Sequence, residues 1–487
     1  MKTPKVPARV WVILAVSAAL ASRGAPACTT VLLEHGADVV VAKSYDYFMG
    51  QGLLLVNPRG LRKSALPGGV RSRGPMWVAR YGSVTFNQYG RELPTSGMNE
   101  AGLVIEVMWL DETRVEEPDA RPALLELQWL QYQLDTRASV AELVAHAGEV
   151  RVAAGSARVH YLACDRSGAC AAVEYLDGAL VVTTGDTMPV RALTNDTYAA
   201  SCAYLRGHSG FNGQEPLRAG PASLDRFVRA SDLARRATNE DRGAPGLTDD
   251  AFTLLDAVSQ GASSVWNLVW DPIRLVVHYR THANPRVKRL NFAGLNLACD
   301  AGAKMLDIDA ERWGDVTSSL HPYSLSANRA LVARSFAKHF ATLPAGAADV
   351  IARAPEGFYC ASNQPRAATA RLCGSGSAEL DRAPGQGAEV VAGDREGYFP
   401  GAGRRGAGSD QHGREVLVGR QRLAHARGAV AVVEQGVDVE AGEHVGGPRV
   451  ELHRPGRRDR VRRPVRGGEV VGQEAATDDQ HTLVAQG

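Results

Sequence analysis

Ala25-Pro26-Ala27-Cys28 constrains this chain more than any other stretch, because it closes an export-type leader immediately before a cysteine. Lys2, Lys5 and Arg9 form a basic region, Val10 to Leu20 an apolar one, and Ala25-Pro26-Ala27 a small-x-small end. The apolar run is too short to span a bilayer, so residues 1–27 are expected to be removed as a signal peptide. The remaining protein is then exported, periplasmic or secreted, with Cys28 as its first residue.

A first-position cysteine brings two groups together, an α-amine with a reference pKa of about 7.7–8.0 and a thiol of about 8.5. Near neutral pH part of the amine is unprotonated and can take the thiol proton, directly or through a water, as an N-terminal threonine nucleophile does. Other readings of Cys28 stay open: half of a disulfide, an inert core residue, or the lipid-attachment site of an envelope protein. Ala25 and Pro26 fit a lipobox poorly.

At 487 residues and 45% hydrophobic content the chain can bury a large core, and a formal net charge of +2 points to no nucleic acid or other polyanionic partner. Seven cysteines are too few for a disulfide scaffold of this size. Cys164 and Cys170 are the best-placed pair, since a turn at Asp165-Arg166-Ser167-Gly168 would bring their strands together; two free core thiols fit equally well.

Thr30 to Leu33 and Val39 to Ala42 flank Glu34-His35-Gly36-Ala37 as a β-hairpin, which returns Lys43 and Asp46 to the neighbourhood of Cys28. Ser83 to Tyr89 and Val104 to Trp109 read as strands, with Asn99 in the turn of Gly97-Met98-Asn99-Glu100-Ala101-Gly102-Leu103. Two helices follow: Leu124, Leu125, Leu127, Leu130 and Leu134 are spaced for one after Pro122, and Ser139 caps the next. Val159 to Ala163, Ala171 to Tyr175 and Leu180 to Thr184 form a meander, in which His160 has no partners at metal-ligand spacing. Beyond Leu193-Thr194-Asn195, Ser223 caps a helix carrying Arg226, and Val265 to Trp270 pairs with Leu275 to Arg280. Hairpins with grouped helices give an α+β arrangement.

Five features in order carry a resemblance: Cys28-Thr29; Lys43 three residues before Asp46; Gly97-Met98-Asn99-Glu100-Ala101-Gly102-Leu103; Leu193-Thr194-Asn195; and Ser223-x-x-Arg226-Phe227-x-Arg229. From Cys28 to about Leu343 the chain resembles the choloylglycine hydrolase family, which contains bile salt hydrolases and penicillin V acylases and belongs to the N-terminal nucleophile hydrolases. The resemblance implies a four-layer αββα sandwich and hydrolysis of a linear, non-peptide amide, with no metal or other cofactor. It makes Cys28 the nucleophile and its amine the base, Asp46 the holder of that amine, Asn99 and Asn195 the oxyanion donors, and Arg226 a source of site charge. The chain departs from the family at Lys43, where arginine is usual; ammonium and guanidinium differ in geometry, so the substrate-binding or site-charge role of Lys43 bears on specificity.

The expected partner is a small N-acyl amide, from a bile acid, a phenoxyacetyl penicillin, an acyl-homoserine lactone or another N-acyl compound, with no membrane span; a homo-oligomer is compatible with the sequence. Phe48, Met49, Leu53, Leu54, Leu55, Met108 and Trp109 are candidates for an apolar acyl pocket and equally for core. The competing function is a lipid-anchored envelope protein with Cys28 acylated and no amidase activity. Domains are expected at 1–27 (signal), 28–343 (amidase) and 344–487 (tail). The tail has no Lys, Met or Trp, and no Ile after Ile351, and reads either as disordered or, the favoured alternative, as G+C-rich DNA translated out of frame from near Cys360.

Overall fold

The computed structural model describes residues 27–66, 74–153, 157–238, 243–339 and 346–361. Residues 1–26 of the expected signal and everything after Ala361 lie outside the described residues.

Thr29–His35 and Asp38–Asp46 form the expected hairpin, turning at Gly36, whose φ of 60° suits a residue without Cβ. Thr29 pairs with Ser44 and His35 with Asp38, so Cys28 enters the sheet beside the end of the second strand. The first sheet runs, in spatial order, Ala192–Leu193, Thr29–His35, Asp38–Asp46, Ser264–Asp271, Val276–Thr281, Lys288–Asn291 and Gly314–Asp315. The second runs Ala179–Thr184, Cys170–Leu176, Val159–Cys164, Val104–Trp109, Pro94–Asn99, Ser83–Asn87, Leu53–Asn57, Lys304–Asp307 and His321–Pro322.

Strand alternation builds the layers. In Val104–Trp109, Val104 and Met108 join the apolar cluster shared with the first sheet, whereas Ile105 and Val107 join the cluster beneath the helices. Phe86 of the second sheet meets Trp270 and Tyr279 of the first edge-on, at centroid distances of 5.6 and 5.1 Å, and so ties the two sheets together. Helix α1 (Glu126–Thr136) packs Leu127, Leu130 and Leu134 into the outer cluster, and α2 (Val140–His146) begins at Ser139, whose Oγ accepts Glu142 N–H. On the opposite face α3 (Tyr198–Leu205), α4 (Ser223–Thr238) and α5 (Gly243–Ala257) contribute to the cluster over the first sheet. The result is the expected α+β sandwich with layers in the order αββα.

Cys164 and Cys170 form a disulfide across the second sheet, resolving the two readings of that pair. Packed structure also continues past the boundary expected at 343. Helix α6 (Leu325–His339) lends Val332 and Phe336 to a cluster with Ala352 of α7 (Ala347–Arg353), and Asn328 Nδ2 donates to Ala352 O at 3.0 Å. Tyr359-Cys360 then pairs with Leu61-Arg62, and Cys360 is disulfide-bonded to Cys299. The spacing of cysteines gave no hint of that second bridge.

Candidate active site

Cys28 is only 3% exposed, and its Sγ donates to the backbone oxygen of Asp46 at 3.9 Å. Asp46 closes its strand opposite Ser264, where a register shift bends the pairing. Its Oδ1 accepts from Ser44 Oγ and Ser264 Oγ, both at 2.6 Å, while the buried Oδ2 has no partner among the described residues. Burial pushes the Cys28 thiol up to about 11, against the lowering influence first of Lys43 and later of Arg226. Burial likewise raises the Asp46 carboxyl above the usual carboxylate range, with the Ser264 and Ser44 hydrogen bonds working in the opposite direction.

Arg226 gathers the rest of the site. Ser223 and Arg226 lie three apart on α4 and so share a helix face. From there the fully buried guanidinium donates through Nη1 to Cys28 O and Thr29 Oγ1, both at 2.6 Å, through Nη2 to Asn195 Oδ1 at 2.9 Å, and through Nε to Pro221 O at 3.1 Å. Desolvation lowers the Arg226 pKa, opposed by Asp46 and Cys28. Asn195 N donates to Ser223 Oγ at 2.8 Å, and Asn195 Nδ2 to Trp109 O at 2.9 Å. Cys28, Asp46, Asn195 and Arg226 thus form one connected group.

Lys43 is beside the group but faces the second sheet. Its Nζ donates to Thr95 O at 3.0 Å and Val107 O at 2.6 Å, and pairs with Glu106 Oε2 at 2.9 Å, both side chains being fully buried. Glu106 Oε1 accepts from Ser96 Oγ at 2.6 Å and Trp270 Nε1 at 2.7 Å. The ammonium therefore acts on Cys28 as a fixed charge, with its hydrogen bonds committed inside the protein.

Asn99 is not brought to this group, which corrects its expected role. It ends Pro94–Asn99, where its Nδ2 donates to Leu134 O at 2.9 Å and Arg137 O at 2.7 Å, and its Oδ1 accepts Ala101 N–H and Leu103 N–H. Both amide hydrogens are used at the end of α1 and both lone pairs in the turn, so no donor remains for an oxyanion.

Several contributors had no motif of their own. Ser44 and Ser264 hold Asp46, and Gln260 Nε2 donates to Ala27 O at 3.1 Å. Ser44 stood between Lys43 and Asp46 as a polar residue in an apolar strand, the one available signal. Of the candidate pocket residues, Leu54 belongs to the cluster between the sheets and Leu53 and Leu55 to a separate one, as the core reading holds. An aromatic row starts instead at Trp266 and passes through Tyr45 and Tyr47 to the partly exposed Phe48, with successive centroids 4.7, 5.4 and 4.4 Å apart. Among the described residues no group of His, Cys, Asp and Glu could hold a metal ion, and no helix is long and apolar enough to cross a membrane.

No family model matches the chain. A penicillin V acylase of Pectobacterium atrosepticum is 27% identical over 338 residues, which span 59% of this chain and 88% of the relative. The solved structure of penicillin V acylase from Agrobacterium tumefaciens aligns with 61% of this chain and 98% of its own, at 28% identity and a TM-score of 0.52. A variant of the conjugated bile acid hydrolase of Clostridium perfringens aligns with 59% of this chain and 98% of its own, at 16% identity and a TM-score of 0.49.

Proposed function

The chain belongs to the choloylglycine hydrolase family of N-terminal nucleophile hydrolases, which includes the penicillin V acylases, and from that premise we propose that it cleaves the C–N bond of a linear N-acyl amide through Cys28. The observation that carries this is the guanidinium of Arg226, which binds Cys28 O, Thr29 Oγ1 and Asn195 Oδ1 at once. A core cysteine with no chemical task has no need of such an assembly.

Export and removal of residues 1–27 belong to the same proposal, because they turn the Cys28 peptide nitrogen into an amine. Burial disfavours the Cys28 thiolate, so attack draws on a base at the moment of bond formation. The freed amine is that base. Asp46 Oδ2, buried and without a partner among the described residues, is the acceptor for its charged form. The thiol sulfur attacks the acyl carbon while its proton passes to the amine. Asn195 Nδ2 stabilises the resulting oxyanion, in the way preorganised donors contribute a few kcal/mol. Collapse transfers that proton to the leaving amine and leaves a thioester, which water hydrolyses to the free acid and thiol.

The lipid-anchor reading requires Cys28 at the protein surface, and a residue 3% exposed beneath the Arg226 contacts fits it poorly. The test is to prepare protein beginning at Cys28, confirm its N-terminus by mass, and assay penicillin V, conjugated bile salts and acyl-homoserine lactones alongside Cys28→Ala. Turnover of one class by wild type, absent in Cys28→Ala, supports the proposal; equal rates in both, or no turnover of any class, overturns it.

A further inference from the structure

His160 lies fully buried in Val159–Cys164, paired in the sheet with Met108. Its Nε2 is 2.9 Å from Thr194 O and its Nδ1 3.0 Å from Glu174 Oε1. A carbonyl oxygen only accepts, so Nε2 carries a hydrogen and donates it. The same Glu174 oxygen accepts Tyr198 N–H at 3.0 Å, at the start of α3. Glu174 therefore orients the imidazole from behind and is itself anchored to a helix terminus.

What the ring holds is one peptide unit of the candidate site. The C=O of Thr194 and the N–H of Asn195 belong to the same planar amide. His160 binds its oxygen, and Ser223 Oγ binds its N–H at 2.8 Å. Ser223 Oγ also donates to Thr194 Oγ1 at 3.0 Å. With both ends gripped, the plane is fixed, and the direction in which Asn195 leaves the backbone is fixed with it. On the far side of the residue Trp109 O and Arg226 Nη2 hold the side-chain amide.

We propose that His160, braced by Glu174, is a positioning residue for Asn195: it sets the oxyanion donor through the Thr194 carbonyl without touching substrate. This rests on the reading of Asn195 as oxyanion donor in amide hydrolysis. A displaced donor weakens transition-state binding more than ground-state binding, so the signature is a loss in kcat rather than a rise in KM.

The test compares wild type, His160→Leu, Glu174→Leu and the conservative Glu174→Gln, using the amide turned over fastest by wild type. Both leucine variants are expected to lose about 10- to 100-fold in kcat with little change in KM, as for a misplaced oxyanion donor. Glu174→Gln is isosteric and keeps an oxygen at the Oε1 position to accept Tyr198 N–H, so it recovers part of the loss. Alkylation of Cys28 by iodoacetamide needs no oxyanion donor and stays at the wild-type rate throughout. Wild-type kcat in Glu174→Leu, or alkylation falling in step with hydrolysis, overturns the inference; Glu174→Leu answers the question if His160→Leu does not fold. If wild type hydrolyses no amide, the functional reading fails separately. Positioning is then read from the side-chain amide signals of Asn195 by NMR. They shift in Glu174→Leu and return in part in Glu174→Gln, and unchanged signals overturn the inference.

Discussion

Arg226 Nη1 sits 2.6 Å from the carbonyl oxygen of Cys28, although 198 residues separate the two in the chain. The planar guanidinium serves four acceptors in different directions, a task beyond a compact ammonium. Arg226→Lys is expected to lower kcat by about 100-fold and stability by about 1–3 kcal/mol, measured by initial rates and urea unfolding. Wild-type kinetics in this variant would remove Arg226 from the functional group.

Asn99→Ala separates structure from chemistry. Losing four hydrogen bonds to backbone groups should cost about 2–4 kcal/mol in urea unfolding. The protein that remains folded should hydrolyse its amide at the wild-type rate, whereas Asn195→Ala should not. A folded Asn99→Ala protein with greatly reduced kcat would return Asn99 to the list of oxyanion donors.

Glu106 and Lys43 should behave as a pair. Glu106→Leu alone strands a buried ammonium and is expected to cost about 3–5 kcal/mol, much of which Lys43→Met restores in the double variant. The double variant also lacks the positive charge that lowers the Cys28 thiol, so iodoacetamide should alkylate Cys28 more slowly at any given pH. Alkylation at the wild-type rate would show that the Lys43 charge does not reach the thiol.

Titration of Cys28 gives a signed test in protein that retains a residue ahead of it. The folded thiol is raised from 9.0 to about 11, so the folded state binds more protons than the unfolded between those values. Its contribution to stability is intact below the lower value and is lost as the pH climbs towards the upper, a total of about 2–3 kcal/mol. Unfolding free energies of wild type and Cys28→Ala, taken from neutral pH into this range, should diverge with that sign. Parallel curves would contradict the burial of the thiol.

A chain ending at residue 345 should be less stable than one ending at Ala361. It lacks α7, the strand pairing of Tyr359-Cys360 and the bridge from Cys299 to Cys360, whose 61-residue separation alone corresponds to about 4 kcal/mol of loop-closure entropy. Thermal melts of the two proteins under non-reducing conditions make the comparison. Equal midpoints would mean that residues 346–361 add nothing to the fold.

The sequence by itself determined what depends on near neighbours. Apolar alternation and the Gly36 turn specified the first hairpin, and the hairpin brought Asp46 back to Cys28. Ser139 announced a helix start, and the short span from Cys164 to Cys170 made that bridge legible. Local pattern treated Asn99 and Asn195 alike, as polar residues where a strand gives way to a turn. Tertiary structure separated them: the end of α1 presents the carbonyls of Leu134 and Arg137 to Asn99, whereas α4 presents Arg226 and Ser223 to Asn195. The same holds for Lys43, whose Glu106 partner lies on the facing sheet, and for His160, whose partners come from Glu174 and the Thr194 peptide. A buried polar side chain takes its role from whichever partner packing delivers, because leaving it unpaired costs more than any local preference supplies.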